Sequence, residues 1–406
     1  MTRLRAILSV ILLIFAVQTN AQRVAPAPSY DFSGRSLPLT SNTDSPQRYS
    51  IGRKAGQIAV TSVPVIALGG VAALDTDGGL KNLRDSWIPD FHNRADDYLQ
   101  YSPGALMLAL KAAGVQGRST WGEMLTASAA AYVIMGVSVN ALKYTTSVER
   151  PNGADTHSFP SGHSATAFMM AGLLTREYGE LSPWVGIGAY SVASATGAMR
   201  IANDRHWLSD VLVGAGLGIL SSEAGYFLSD ILFGKDWKDE ELSCDETPSF
   251  IGLYTGTGWV FGSSVPSGSR TSHAGVEGAY FLDNHFGLGG RALISYAAQD
   301  LEAHSGSSYV SSGDSANLVS VSAGGYFNLP VCKRISLGSK ALIGYYRQTD
   351  DNVSERYDLG GGLDLGTGLS FNVRLRDHYG IRIFADYDFL ASLSLLTFGF
   401  SINALW

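Results

Sequence analysis

The chain has 406 residues, which is long enough for two domains of ordinary size. Its formal net charge is -7 and charged residues make up only 16% of it. This composition lacks the basic footprint of a nucleic-acid-binding protein, so no nucleic-acid partner is expected. The two cysteines are too few for a disulfide framework and have no metal-ligand spacing.

The first segment, residues 1–21, has the pattern of a secretory signal peptide. Arg3 and Arg5 precede an uncharged apolar run, residues 6–17, and small residues follow it. The mature protein is therefore expected to be exported. Residues 22–50 are rich in Ser, Pro, Asn and Thr, which predicts a flexible leader.

Long apolar runs predict a helical domain over residues 51–233. The runs are rich in Ala, Gly and Ser, and some carry ionisable residues such as Lys111 and Glu223. Membrane spans and the buried helices of a compact bundle both remain open at this point, although the modest hydrophobicity weakens the first alternative. The runs are residues 57–74, 102–110, 125–142, 164–174, 183–199 and 211–233.

The first chemical cluster in this domain is a pair of cations, Lys143 and Arg150. Their spacing of seven places both on one face of a predicted helix, where they can reach the same anion. Pro151 disfavours the helical conformation for the residue before it, so Arg150 is expected where the helix breaks into a loop. The alternative is an ordinary solvated helix face.

The second cluster is Ser-Phe-Pro-Ser-Gly-His-Ser, residues 158–164, followed by an Ala-rich run. This pattern predicts a helix start, where free backbone N–H groups bind anions. Gly162 allows a close approach, Ser161 adds a hydroxyl donor, and His163 is placed beside the anion. The alternative is a common turn with a helix cap.

The third cluster contains Arg200, His206 and Asp210. Asp210 follows His206 by four residues on a predicted helix, so its carboxylate can accept the Nδ1 proton and leave Nε2 as a nucleophile. Arg200 adds a bidentate phosphate donor. A surface pair or a core histidine is the alternative for any one cluster. Since all three occur between residues 143 and 210, we interpret them as one phosphate site.

These patterns resemble the type 2 phosphatidic acid phosphatase and vanadium haloperoxidase superfamily over about residues 50–230. The first pattern is a Lys separated by six residues from Arg-Pro, and the second is Pro-Ser-Gly-His. The third is an Arg separated by five residues from a His, which is separated by three residues from an Asp. The chain departs from the family at Met199, where Ser is usual. The resemblance implies an all-α bundle of the acid phosphatase/haloperoxidase type.

The resemblance also implies the roles of the site residues. His206 attacks phosphorus to form a phosphohistidine, Asp210 orients it, and His163 acts first as general acid and then as base for water. No metal cofactor is expected, and vanadate is expected to inhibit. The phosphate oxygens are held by Lys143, Arg150, Ser161, Gly162 and Arg200.

An acidic linker, residues 234–247, precedes a region with a two-residue period, residues 248–406. The segment 396–406, for example, alternates large apolar with small or polar residues and ends in Trp406. Eight such strands predict an eight-stranded antiparallel transmembrane β-barrel of the outer-membrane type. The predicted strands are about residues 249–261, 272–282, 286–297, 316–328, 335–347, 356–372, 380–390 and 394–406.

Connection lengths predict the orientation of the barrel. Links after the second, fourth and sixth strands are short and most of the others are longer, and outer-membrane barrels place short turns on the periplasmic side. The helical domain is then expected to face the periplasm. Cys244 and Cys332 are both predicted at the periplasmic rim, where a disulfide between them is possible and free thiols are the alternative.

Charged residues of both signs are predicted to point into the barrel lumen. A second active site there is conceivable, but salt bridges that plug a narrow barrel are the more common arrangement. We therefore interpret the barrel as an anchor. The inward-pointing charges are Glu277, Arg291, Lys340, Asp364, Arg382 and Asp386.

Taken together, the sequence predicts an outer-membrane phosphatase that acts on a lipid-linked phosphate or pyrophosphate. Lipid A phosphate, an isoprenyl pyrophosphate and a phosphatidic-acid-like lipid are the candidate substrates, in that order. The alternatives are a vanadate-dependent haloperoxidase and a non-catalytic outer-membrane protein that binds lipid phosphate. The secretion and barrel-insertion machinery are the protein partners that the sequence indicates, and it identifies no others.

Overall fold

The computed structural model describes residues 51–73, 78–235, 247–262, 269–298, 315–332, 334–349, 360–376, 379–390 and 393–406. The predicted signal peptide and leader, most of the predicted linker, and Cys244 lie outside the described residues. In the described part, a helical bundle comes first and a closed eight-stranded antiparallel barrel follows, as predicted.

The helical runs predicted from the sequence fall on helices, except that the run 57–74 passes the end of its helix at Ala72 and residue 74 lies outside the described residues. Two shorter and more polar helices, α2 and α3, were not predicted, because neither contains a long apolar run. The helices are α1 (Ile51–Ala72), α2 (Gly79–Trp87), α3 (Ala95–Leu99), α4 (Ser102–Ala112), α5 (Trp121–Thr146), α6 (Gly162–Tyr178), α7 (Pro183–Ala202) and α8 (Leu208–Phe233).

Helix α8 is the centre of the bundle and packs against α1, α5 and α6. Its glycines allow these close approaches: a Cβ at Gly214 would lie 2.4 Å from the Ser161 carbonyl oxygen, and one at Gly218 would lie 2.3 Å from that of Ala165. Helices α5 and α8 are both long and apolar enough to cross a membrane by length and composition. Most of α8 is buried, however, so its small residues serve helix packing.

The barrel closes because each strand pairs with the next and β8 pairs with β1. Phe250 is opposite Leu405 where the first and last strands meet. The strands are β1 (Phe250–Gly262), β2 (Arg270–Phe281), β3 (Phe286–Ala298), β4 (Ser315–Cys332), β5 (Ile335–Gln348), β6 (Gly361–Arg376), β7 (Tyr379–Leu390) and β8 (Leu393–Leu405).

The barrel lumen is filled by the charged network that the sequence predicted. Lys340 Nζ lies 2.7 Å from both Glu277 Oε1 and Asp386 Oδ2, and Arg291 Nη1 lies 3.2 Å from the same Asp386 oxygen. Asp388, which was not predicted, also pairs with Arg291. Since these side chains are buried and paired, the interpretation of a salt-bridge plug is confirmed.

The helical bundle lies along the outer wall of the barrel. At the short-turn end, the Tyr190 ring of α7 stacks on Tyr379 of β7 with a centroid distance of 4.6 Å. At the opposite end, from which residues 299–314 leave, Ser86 Oγ of α2 donates to Asn317 Oδ1 at 2.8 Å. The bundle therefore extends from one end of the barrel wall to the other.

This packing differs from the predicted arrangement, in which the catalytic residues lie on the short-turn, periplasmic side. Arg84 Nε of α2 donates to the Ala202 carbonyl oxygen at 2.9 Å, so the end of α7 and the loop at 203–207 are level with the long-link end. The periplasmic orientation of the helical domain stays a prediction, since the position of the site relative to the barrel ends does not show which end faces the periplasm. Cys332 is exposed at the short-turn end, and its pairing with Cys244 stays a prediction.

Candidate active site

The two cations of the first cluster are brought together by a loop and do not share a helix face. Helix α5 ends at Thr146, and Ser147 follows with a left-handed φ of 49°. Lys143 lies in the last helical turn and its Nζ donates to the His157 carbonyl oxygen at 2.7 Å. Arg150 lies in the loop, where its Nε donates to Asp155 Oδ2 at 2.8 Å.

The second cluster begins helix α6, as predicted. Ser161 is the N-cap, and its Oγ accepts a hydrogen bond from the Ser164 N–H at 3.3 Å. The Ser161 N–H donates to the Asp210 carbonyl oxygen at 2.9 Å, which ties the start of α6 to the start of α8. A Cβ at Gly162 would meet no protein atom within 4 Å, so the space beside this helix start is open. That space suits an anion facing the free N–H groups.

In the third cluster, His206 lies in the loop before α8, so the predicted shared helix face is wrong. Asp210 instead caps the helix: its Oδ2 accepts from the Trp207 N–H at 2.9 Å and from Ser158 Oγ. His206 Nδ1 lies 3.5 Å from that Asp210 oxygen and 3.4 Å from Ser158 Oγ. The spacing of four still brings the carboxylate behind the imidazole, because the chain turns into a helix between them.

The Nε2 nitrogen of His206 faces the first cluster. Its Nε2 lies 3.4 Å from Arg150 Nη1, which also donates to the Arg205 carbonyl oxygen at 3.2 Å. A guanidinium beside this nitrogen is positioned to hold an oxygen of a phosphate whose phosphorus lies in line with Nε2. The structure therefore joins the first and third clusters around one point.

Arg200 and His163 complete the group, each with a carboxylate from α3. Arg200 Nη1 pairs with the buried Asp96 at 2.7 Å, and among the described residues its Nε has no hydrogen-bond partner. His163 Nε2 lies 2.9 Å from Asp97 Oδ1. The unpartnered Nε is a donor available to a phosphate oxygen.

The two histidines are held in different electrostatic environments. Burial lowers the pKa of His206 to about 4, even though Asp210 acts in the opposite direction. The imidazole is therefore neutral at pH 7 and Nε2 keeps its lone pair. Burial and the nearby Arg200 charge also lower the pKa of His163, while Asp97 and Asp96 oppose the shift.

Several partners in the site were missed by the sequence analysis. Asp96 and Asp97 occur in a short polar segment whose relation to the three clusters is visible only after folding. Asn203 also donates to Asp96 Oδ2, at 3.3 Å. Ser158 was part of the second motif, but nothing in the sequence indicated its hydrogen bond to Asp210. Among the described residues, no group of three or more His, Cys, Asp or Glu side chains is arranged to hold a metal ion.

Comparison with known proteins identifies the region that contains the clusters. Residues 121–230, from the start of α5 into α8, match the model of the PAP2 superfamily. They are a PAP2 superfamily domain. All the predicted site residues between Lys143 and Asp210 lie inside this domain, whereas Asp96 and Asp97 come from α3, which precedes it.

One curated relative of this PAP2 domain is the lipid A 1-phosphatase of Porphyromonas gingivalis. It is 43% identical over 173 residues, which are 42% of this chain and 39% of the relative. The chain thus matches about two fifths of that relative's length.

Two solved structures each align with a portion of the chain. Aquifex aeolicus LpxE is 23% identical with a TM-score of 0.29, and the alignment covers 36% of this chain and 92% of that one. Ail, the attachment invasion locus protein of Yersinia pestis, is 14% identical with a TM-score of 0.27, and that alignment covers 40% of this chain and 99% of that one.

Proposed function

We propose that this protein is a lipid phosphatase that uses His206 as its nucleophile and needs no metal cofactor. The observation that carries the proposal is the environment of that imidazole. Its Nε2 faces the Arg150 guanidinium at 3.4 Å, its Nδ1 faces the buried Asp210, and its lowered pKa keeps it neutral. A neutral nucleophile beside a fixed cation is the combination that phosphoryl transfer requires.

In the first proposed step, His206 Nε2 attacks phosphorus and the bond from phosphorus to the leaving oxygen breaks. His163 donates its proton to that oxygen. Water then attacks the phosphohistidine, His163 accepts a proton from the water, and the P–N bond breaks to release inorganic phosphate. Lys143, Arg150 and Arg200 offset the charge on the equatorial oxygens, the function that metal ions serve in other phosphoryl-transfer enzymes.

The substrate we propose is a lipid-linked phosphate. The relative that is 43% identical across this region is a lipid A 1-phosphatase, which supports a lipid A phosphate as the first candidate. An isoprenyl pyrophosphate and a phosphatidic-acid-like lipid remain the next candidates. A protein attached to the membrane by a barrel meets such lipids at high local concentration.

We further propose that the barrel spans an outer membrane. Its lumen is polar and its outward residues are largely apolar, which is the pattern of such barrels. Long links face outward in this class, and the candidate site is level with the long-link end. The packing thus favours an outward-facing site over the periplasmic orientation expected from the sequence.

Labelling of His92→Cys, in the exposed loop beside α3, tests the orientation in cells whose protein lacks the two native cysteines. A membrane-impermeant maleimide is expected to react with intact cells. Reaction only after the outer membrane is permeabilised would reverse the assignment.

Phosphate release by the purified full-length protein tests the catalytic proposal. The substrates are the three candidate lipids and a soluble phosphate ester, and the variants are His206→Ala and the control His285→Ala, a histidine in the turn after β2. We expect turnover in wild type and the control and at least a 1,000-fold loss in His206→Ala. Equal rates in all three would contradict the proposal, and halide-dependent peroxide consumption with vanadate would favour a haloperoxidase.

A further inference from the structure

A cleft of about 510 Å³ lies between the helical bundle and the outer wall of the barrel. One side is formed by α1, α2 and the loop before α8, and the other by β1, β2, β7 and β8. Its volume lies within the range of pockets that hold small molecules. His206 and Trp207 are among the lining residues, so the cleft reaches the proposed nucleophile.

The walls of the cleft are apolar on both sides and charged at one end. Leu68, Val71 and Leu208 line the bundle side. Near the loop at residues 203–207, here called the catalytic loop, Lys81 and Arg84 line the cleft. Lys81 Nζ is 3.8 Å from Asp204 Oδ1 of that loop. A ligand that matches these walls carries its polar group near His206 and its hydrocarbon away from it. On the barrel side the apolar lining comes from the outward side chains of Trp259, Ile383, Phe398 and Phe400.

We propose that this cleft holds the hydrocarbon chain of the phosphorylated substrate, so that the barrel wall is one half of the substrate-binding site. The inference rests on the proposed lipid phosphatase activity and goes beyond it, because it assigns the barrel a role in recognition as well as in anchoring. The cleft is continuous with the nucleophile, which favours the substrate's own chain over a bystander lipid. Lys81 and Arg84 make the phosphate end of the cleft polar, and both are paired with Asp85.

Filling the cleft from the barrel side tests this proposal. Thr257 is an exposed residue of β1 that lines the cleft, and its Oγ1 donates to the Thr271 carbonyl oxygen at 3.1 Å. Thr257→Trp places an indole where the chain is expected. The matched control is Thr367→Trp, an exposed β6 residue outside the cleft whose Oγ1 donates to the Lys340 carbonyl oxygen at 3.0 Å.

Each full-length protein is assayed with phosphatidic acid of long chains in vesicles and with a short, soluble phosphate ester. Thr257→Trp is expected to lower kcat/KM for the long-chain lipid at least tenfold and to change hydrolysis of the soluble ester less than twofold. Thr367→Trp should leave both rates unchanged. Equal rates for wild type and Thr257→Trp on the lipid would overturn the proposal.

A crosslinking measurement covers the case in which the indole disturbs the catalytic loop. A phosphate lipid with a photoreactive group at its chain end is bound to His206→Ala protein, and the labelled peptides are mapped. Labels on Phe398, Phe400 or the end of α1 support the cleft, and labels confined to the opposite barrel wall overturn it. Wild type that releases no phosphate from either substrate refutes the proposed function, while the label still reports where the chain lies.

Discussion

Replacing Asp210 by Asn removes one negative charge from behind the proposed nucleophile while keeping the shape of the side chain. The Asp210 side chain is fully buried, and its Oδ2 accepts from the Trp207 N–H and from Ser158 Oγ. An amide oxygen in the same place keeps both hydrogen bonds, so the helix cap should survive. The lost feature is the interaction of the carboxylate with His206, which becomes cationic as it attacks phosphorus.

The distance between His206 and Asp210 determines how far kcat should fall. His206 Nδ1 and Asp210 Oδ2 are 3.5 Å apart, and with an effective dielectric constant of about 20, Coulomb's law gives roughly 5 kcal/mol for opposite charges at that distance. Since about 1.36 kcal/mol corresponds to a factor of ten, kcat should fall roughly 3,000-fold. In bulk water the same pair would contribute about 1 kcal/mol, or less than tenfold. The burial of both side chains favours the larger value.

The control is Asp230→Asn, which changes a second buried carboxylate on the same helix. Asp230 accepts two hydrogen bonds from Arg118 Nη2, at 2.9 and 2.8 Å, far along α8 from the catalytic loop. We expect Asp230→Asn to lower thermal stability and leave kcat within threefold of wild type, whereas Asp210→Asn lowers kcat with little change in KM. A fall of less than tenfold in Asp210→Asn, with normal folding by circular dichroism, would refute the electrostatic argument.

Four further outcomes are expected. The profile of kcat/KM against pH should be bell-shaped with an acidic optimum. Activity is lost as pH falls through about 4, because His206 must be neutral to attack phosphorus. Activity is also lost as pH rises through the lowered pKa of His163, because His163 must be protonated to act as the acid. Asp97→Asn should move the alkaline limb to lower pH, because Asp97 raises that pKa. Chelation by EDTA should leave turnover unchanged and vanadate should inhibit competitively; loss of all turnover in chelator would contradict a metal-independent mechanism. Maleimide labelling of Cys244 and Cys332 should increase after reduction, and equal labelling with and without reductant would exclude the disulfide.

The strands of the barrel were predictable because their signal is local. Each strand alternates apolar outward and small or polar inward residues, so the count, the order and most boundaries could be assigned before the structure. The bounds were less predictable: β4 extends to Cys332, beyond the predicted end at residue 328, because the alternation of apolar and polar residues becomes less regular near the strand ends. The predicted start of β6, residues 356–359, lies outside the described residues. Helices α2 and α3 were missed since their stability comes from contacts with distant residues such as Asn317 and Asn203.

The site residues were predictable by type but not by partner. Spacing indicated that Asp210 would lie behind His206, and it does, although through a helix cap and not a shared helix face. No spacing rule pairs Asp96 with Arg200 or Asp97 with His163, because α3 reaches the site only when α7 packs beside it. The position of the bundle against the barrel wall is likewise a long-range property.

In the proposed membrane environment, the contact between bundle and barrel should be held by packing, because lipid chains solvate an apolar wall as well as another protein surface does. Tyr379 is buried in the bundle core and stacks on Tyr190, while the barrel is closed by backbone hydrogen bonds that its side chain does not make. Tyr379→Ala leaves a cavity there, with a cost of about 3 kcal/mol. We expect phosphatase activity to be lost at a lower temperature while the barrel keeps its heat-resistant mobility on gels. The control is Tyr387→Ala, which changes an exposed residue on the same strand and should alter neither property. An unchanged inactivation temperature in Tyr379→Ala would show that the bundle and the barrel do not depend on this contact.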